Sequence, residues 1–358
     1  MAQTKTNSGN FFEDFETGMV IRHALPRTLT EGDNALYVAL TGERYPLYCS
    51  AEFARQLGFK RELINDLLVF HTVFGKSVPD ISLNAVANLG YADVRFLMPV
   101  YPGDTLRAES TVVGRKENSN GKNGNVYVHT KGYNQRNELV MQFYRWVMVH
   151  KRNPDVPCDS QDKPDLPHEL SVDQIKFHEN FNRGGLDTIA TGGKWFFEDY
   201  ETGERIYHVD GRTIEESDHM LATSSYQNTA KVHFNSHQMS NSRFGKRLMY
   251  GGHVISIARA LSFNGLENAL GILGWNGGSH VAPTFAGDTI YSWSDVLDKK
   301  DLNSDFGALR TRLVGIKNVD PQQKGVELKF TDSETGKETY HPNVVLDLDY
   351  YILMPKHK

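Results

Sequence analysis

The 358-residue chain has little cysteine: only Cys49 and Cys158. Two thiols outside any CxxC spacing make neither a disulfide framework nor a zinc-type Cys/His set, so a reducing compartment is expected. Long apolar runs are missing too. Leu67–Phe70 and Val254–Leu261, the latter interrupted by Arg259, are far shorter than the roughly 20 residues of a bilayer span. The opening stretch has no apolar segment of the secretory kind. Nor is there a basic excess: the formal net charge is −5 and the pI about 6.3. That argues against nucleic acid or a membrane surface as partner. HExxH and the Rossmann glycine pattern are absent, and Gly192-Gly193-Lys194 lacks the upstream glycine of a phosphate loop. A cytoplasmic protein without a metal site is expected.

What the sequence does have is a repeat. Phe12-Glu13-Asp14-Phe15-Glu16-Thr17-Gly18 returns 185 positions later as Phe197-Glu198-Asp199-Tyr200-Glu201-Thr202-Gly203. Pro99–Leu106 and Pro283–Ile290 share Pro, Gly-Asp-Thr and a final aliphatic residue at a displacement of 184. Register held this well over such a distance means a duplicated domain rather than a solenoid unit. The expected division is an N-terminal half, 1–150, a linker, 151–190, and a C-terminal half, 191–358. The linker carries Pro154, Pro157, Pro164 and Pro167 and little apolar period, which reads as a flexible connection.

Each half reads as α+β. A short helix over Ala51–Phe59 ends near Gly58, and a longer one over Asn65–Ser77 stops at Pro79. Leu67, Leu68, Val69, Phe70, Val73 and Phe74 leave the longer helix little polar face, so it is enclosed. His253–Leu261 takes that role in the second half. Strands are expected over Thr105–Arg115, Asn125–Tyr133 and Leu139–His150, the first two joined by the turn-rich 118–124. An antiparallel meander curled about one buried helix follows, and two copies can join edges into one sheet.

The informative segment is Ser225–Asn235, with Leu40–Cys49 as its counterpart. Both lie just before the buried helix. Here the chain resembles the MaoC-like, R-specific enoyl-CoA hydratases, whose Asp-x-Asn-Pro-x-His motif occupies this place and whose Pro-x-x-x-Gly-Asp-Thr strand entry matches in both halves. Asn10–Phe15, Leu68–Lys76, Val78–Ala85, Gln227–Phe234 and Leu346–Tyr350 are similar to one branch, the mesaconyl-CoA hydratases. The resemblance implies a tandem (double) hot-dog fold and reversible hydration of an enoyl-CoA, mesaconyl-CoA to β-methylmalyl-CoA. It implies no cofactor, since coenzyme A belongs to the substrate.

In that family the Asp and His hold one water over the enoyl thioester. The second half keeps the histidine as His233 but has Asn228 for the aspartate. The first has Glu43 and Pro46 but Tyr48 for the histidine. Catalytic roles are therefore expected for His233, Asn228 and Gly252, the last as a backbone donor at the helix start, next to Gly251. Glu43 and Tyr48 are expected to line the substrate's remainder in a degenerate copy, with a catalytic Glu43 left open. Lys60-Arg61 and Lys246-Arg247 are candidates for the coenzyme A phosphates, and Asn84 and Arg95 for a carboxylate. Each has a plainer alternative: a structural histidine, an Asx turn at Asn228, cations closing a helix. The expected partner is an acyl-CoA, with a homodimer of the fused chain as the possible assembly. Two other readings remain: a hydratase for another enoyl-CoA, and a non-catalytic acyl-CoA-binding protein.

Overall fold

The computed structural model describes residues 5–158 and 160–358; the first four residues of the expected N-terminal half and Asp159 of the expected linker lie outside them. One antiparallel sheet runs through the molecule in the order 20–22, 105–117, 123–133, 139–150, 85–96, 271–280, 344–355, 306–317, 289–301, 205–213. The strands below residue 150 fall on one side and those above 205 on the other. They meet where Tyr91 pairs with Gly278 and Val94 with Trp275, so neither half leaves that edge open.

The helix Asp66–Ser77 begins where Asn65 accepts the Leu67 N–H through its side chain at 2.9 Å, satisfying one of the four donors a helix start leaves free. Every residue from Leu67 to Ser77 is buried. Pro79 does not stop the chain at once: Val78–Ser82 continues as one wide π-type turn. In the second half Gly251–Leu261 is buried from Gly252 onward. The two helices share one apolar core, in which Phe70 lies 4.8 Å from Trp275, ring centre to ring centre.

Strand 139–150 follows the period-2 rule: Met141, Phe143, Val147 and Val149 are fully buried while Tyr144, Trp146 and Met148 are partly exposed. The repeated Phe-Glu-Asp motif has a packing reason. Phe12 and Phe197 each lie where a Cβ on Gly124 and on Gly307 would stand.

The segment 151–190 is tied down rather than loose. Leu170 and Ile175 are buried, the Leu170 N–H donates to Asn276 Oδ1 at 2.9 Å, and Phe177 and Phe181 pack on Phe306. Further on, Asn182 N–H donates to the Leu57 carbonyl. These apolar residues are spaced without period, so they show neither helix nor strand in sequence, yet each finds a place on the finished surface. Among the described residues no helix is long and apolar enough to cross a membrane.

Candidate active site

The first helix runs its carboxyl end into the loop that carries the second motif copy. A Cβ on Gly75 would overlap the Tyr226 carbonyl, so glycine is what lets helix and loop touch. The loop then turns at Asn228, whose Oδ1 accepts from Ala230 N–H at 3.1 Å and whose own N–H donates to the Thr223 carbonyl. Asn228 is 1% exposed, and its amide nitrogen has no protein acceptor among the described residues. Gly75→Ala is expected to lower activity at least tenfold by pushing this loop away, with a smaller change in melting temperature. Unchanged activity at unchanged stability would show that the contact does not position the loop.

His233 follows on the short helix Lys231–Phe234. Its Nδ1 lies 2.8 Å from the Leu248 carbonyl. A carbonyl only accepts, so Nδ1 carries the proton and the neutral ring's Nε2 lone pair is left for a ligand. Burial pushes the imidazole down to about 4, opposed by the Leu248 contact and aided by His219. The ring packs edge-on to Tyr250, 5.6 Å between centres. Tyr250 precedes the helix Gly251–Leu261 and gives it no side-chain cap, so the first N–H groups, at Gly251 and Gly252, point outward with the positive end of the helix dipole.

His280 crowds the backbone at Gly251 and lies 3.2 Å from the Tyr91 hydroxyl through Nε2. Burial and then the neighbouring His233 lower its pKa to about 4. Tyr91 comes from the first half's edge strand, so the site is built from both halves. Tyr91, Tyr250 and His280 were not identified from sequence; two sit on strands far from the motif, and no spacing marks them.

The first copy is arranged differently. Glu43 accepts from the backbone N–H groups of Arg44 and Tyr45 and from Asn65 Nδ2, at 2.9–3.0 Å. Tyr48 donates to Asp66 at 2.5 Å, and Asp66 also accepts from Ile272 N–H across the half boundary. Burial raises Asp66 to about 6 against these bonds. Glu43, Tyr48, Asn65, Asp66, Arg259 and Ile272 leave a space of about 10 Å³, room for one water at most. The helix start here is already occupied by Asn65.

The remaining candidates are dispersed. Lys60 lies over the Tyr101 ring and Lys246 over Phe285. Arg61 pairs with Glu31 and Glu62, and Arg247 with Glu216. Arg95 pairs with Asp93, and Asn84 donates to the carbonyls of Ser8 and Asn10, fastening the N-terminal arm. Both have protein partners. Among the described residues no group of three or more His, Cys, Asp or Glu is placed to hold a metal ion. The second-half site thus offers an imidazole lone pair, an uncommitted amide N–H₂ and free helix N–H groups, the set needed to hold a water beside a polarised carbonyl.

Comparison with known proteins gives the family and the fold. The mesaconyl-CoA hydratase family model matches residues 1–323. The chain is 52% identical to the β-methylmalyl-CoA dehydratase of Chloroflexus aurantiacus, over 98% of this chain and 99% of that one. It is also 52% identical to the mesaconyl-CoA hydratase of Cereibacter sphaeroides, over 98% and 100%. Among solved structures, a putative MaoC domain protein dehydratase from Chloroflexus aurantiacus superposes with a TM-score of 0.92 at 51% identity, covering 99% of this chain and 100% of that one. A Mycobacterium tuberculosis protein with a double hotdog fold superposes at 0.76 with 24% identity, covering 97% and 99%, and shows the fold alone.

Proposed function

The chain belongs to the mesaconyl-CoA hydratase family, and from that premise we propose that it interconverts mesaconyl-CoA and β-methylmalyl-CoA at the site around His233. The observation that carries the placement is the contrast between the two helix starts: Gly251-Gly252 has free N–H groups beside an imidazole lone pair, whereas Asn65 caps the other.

In this reading the thioester oxygen sits on the N–H groups of Gly251 and Gly252, which stabilise the enolate as charge develops. Asn228 Nδ2 and His233 Nε2 hold one water at the β-carbon. As its oxygen bonds there, His233 takes the proton and the enolate forms. The imidazolium then returns that proton to the α-carbon, and the neutral ring is regenerated. No step needs a redox group; coenzyme A enters as part of the substrate. Lys60 and Lys246, neither with a carboxylate partner among the described residues, are the basic candidates left for a coenzyme A phosphate.

Residues 1–150 and 191–358 are then two halves of one catalytic unit. The first supplies Tyr91 and the wall of the site, the second the reacting groups. A cytoplasmic location fits an acyl-CoA substrate and two free thiols. The test is loss of enoyl absorbance when purified protein meets mesaconyl-CoA, with its return when β-methylmalyl-CoA is supplied. Tight binding without turnover would instead favour an acyl-CoA-binding protein.

A further inference from the structure

Arg145 and Arg259 are both buried in the core, and they are compensated differently. Arg259, on the second helix, lies over the Tyr45 ring at 3.7 Å beside the small first-copy space, where the carboxylates of Glu43 and Asp66 balance it. Arg145, on strand 139–150, is fully buried and has no carboxylate partner among the described residues. It donates to Ser77 Oγ at 2.8 Å and weakly to Ser82 Oγ at 3.5 Å, its guanidinium lies 4.2 Å above the Phe74 ring, and its Nε is buried with no acceptor. Burial lowers its pKa only to about 10, so it is a cation at neutral pH. The carboxyl end of helix Asp66–Ser77 offers it about half a negative charge. An ion buried without a full partner is costly.

Its ring neighbour connects it to the proposed site. The Phe74 ring lies 5.5 Å from Tyr250 and 6.4 Å from Tyr91, ring centre to ring centre. Tyr250 in turn packs on His233, and Tyr91 reaches His280. Arg145 is thus separated by one ring from the two tyrosines beside the proposed water site, and those two are its electrostatic neighbours. Lys76, another buried cation at this end of the helix, already has the Leu25 carbonyl and Gln227 Oε1 as acceptors.

We propose that Arg145 receives the free carboxylate of the substrate, bidentate, and so selects a dicarboxylic enoyl-CoA over one with a plain alkyl end. The proposal rests on the hydratase reading above. A planar fork of donors matches a carboxylate where a lysine would offer only a point charge. In mesaconyl-CoA that carboxylate is attached beside the double bond, close to where the water adds.

The test compares mesaconyl-CoA with 2-methylcrotonyl-CoA, which has a methyl group in place of the carboxylate, on wild type, Arg145→Met and Arg145→Lys. Arg145→Met is expected to lower kcat/KM for mesaconyl-CoA about 100-fold and to change 2-methylcrotonyl-CoA less than about threefold, with Arg145→Lys between. Equal losses on both substrates overturn the proposal, because a packing role does not distinguish them. If Arg145→Met does not fold, Arg145→Lys decides: about a tenfold loss confined to the dicarboxylate supports the proposal, and an unchanged ratio overturns it. If the wild type turns over neither substrate, the hydratase reading fails, and the same ratio taken from calorimetric Kd values still judges Arg145.

Discussion

His233→Ala lowers kcat for mesaconyl-CoA hydration by about 10²- to 10⁴-fold, the usual worth of a positioned general base, while the melting temperature moves by a few degrees at most. The expectation follows from one hydrogen bond. With Nδ1 held on the Leu248 carbonyl, the imidazole can only present Nε2 as an acceptor, and alanine leaves the water with Asn228 alone. The pH profile gives an independent check. Because burial holds the folded pKa near 4, below the ordinary value of about 6.5, the active neutral form persists on acidification until the pH nears 4. In kcat/KM the acid limb attributable to His233 therefore lies well below 6.5. The same depression means that the stability contributed by neutral His233 is complete above about pH 6.5 and is lost as the pH falls through 4. A His233→Ala variant that kept full activity would move the chemistry to the first copy and Glu43.

Asn228→Asp gives the second large effect, and its direction is the informative part. Restoring the aspartate typical of related hydratases is expected to lower kcat/KM for mesaconyl-CoA at pH 7, by roughly 100-fold or more. A second carboxylate about 4 Å from the substrate's own costs on the order of 4 kcal/mol at an effective dielectric of 20. The deficit shrinks on 2-methylcrotonyl-CoA, which has no carboxylate to repel. Asparagine keeps the Asx turn onto Ala230 N–H and presents a donor where aspartate would present a second anion. A gain of activity on mesaconyl-CoA in this variant would remove the charge argument for the asparagine.

Much of the fold was legible because it follows short-range rules. Asn65, the apolar run after it and Pro79 delimit the first helix to within a residue of Asp66–Ser77, and strand Leu139–His150 has the bounds its alternation gives. The two edge strands that join the halves were harder. Gly271–His280 contains four glycines and Ala85–Phe96 three alanines, so neither has the β-branched content that marks a strand; each is held by pairing with the other. The strap at 151–190 was unreadable for a similar reason, since its contacts exist only once the second-half sheet has formed.

The site divides the same way. Of the proposed groups, His233 and Asn228 lie in one motif and can be read from it. Arg145 was also visible in principle: it occupies the parity of Met141, Phe143, Val147 and Val149, where a charged residue is out of place. Tyr91 and His280 become neighbours only through the pairing of the two halves. Asn84, a candidate for the substrate carboxylate, also fastens the N-terminal arm, a segment whose course no local pattern gives.

Fusion of the halves has a consequence for Arg145 and Arg259. In a homodimer of single hot-dog chains every substitution is made at both sites together, so a change that suits one is imposed on its twin. One chain carrying both copies is released from that symmetry. The neighbourhood of Arg259 can close around Glu43 and Asp66 as a permanent internal brace, while that of Arg145 is left one anion short. A duplicated gene can thus divide maintenance of the scaffold from recognition of the substrate, where two identical subunits would have to combine both duties in one sequence.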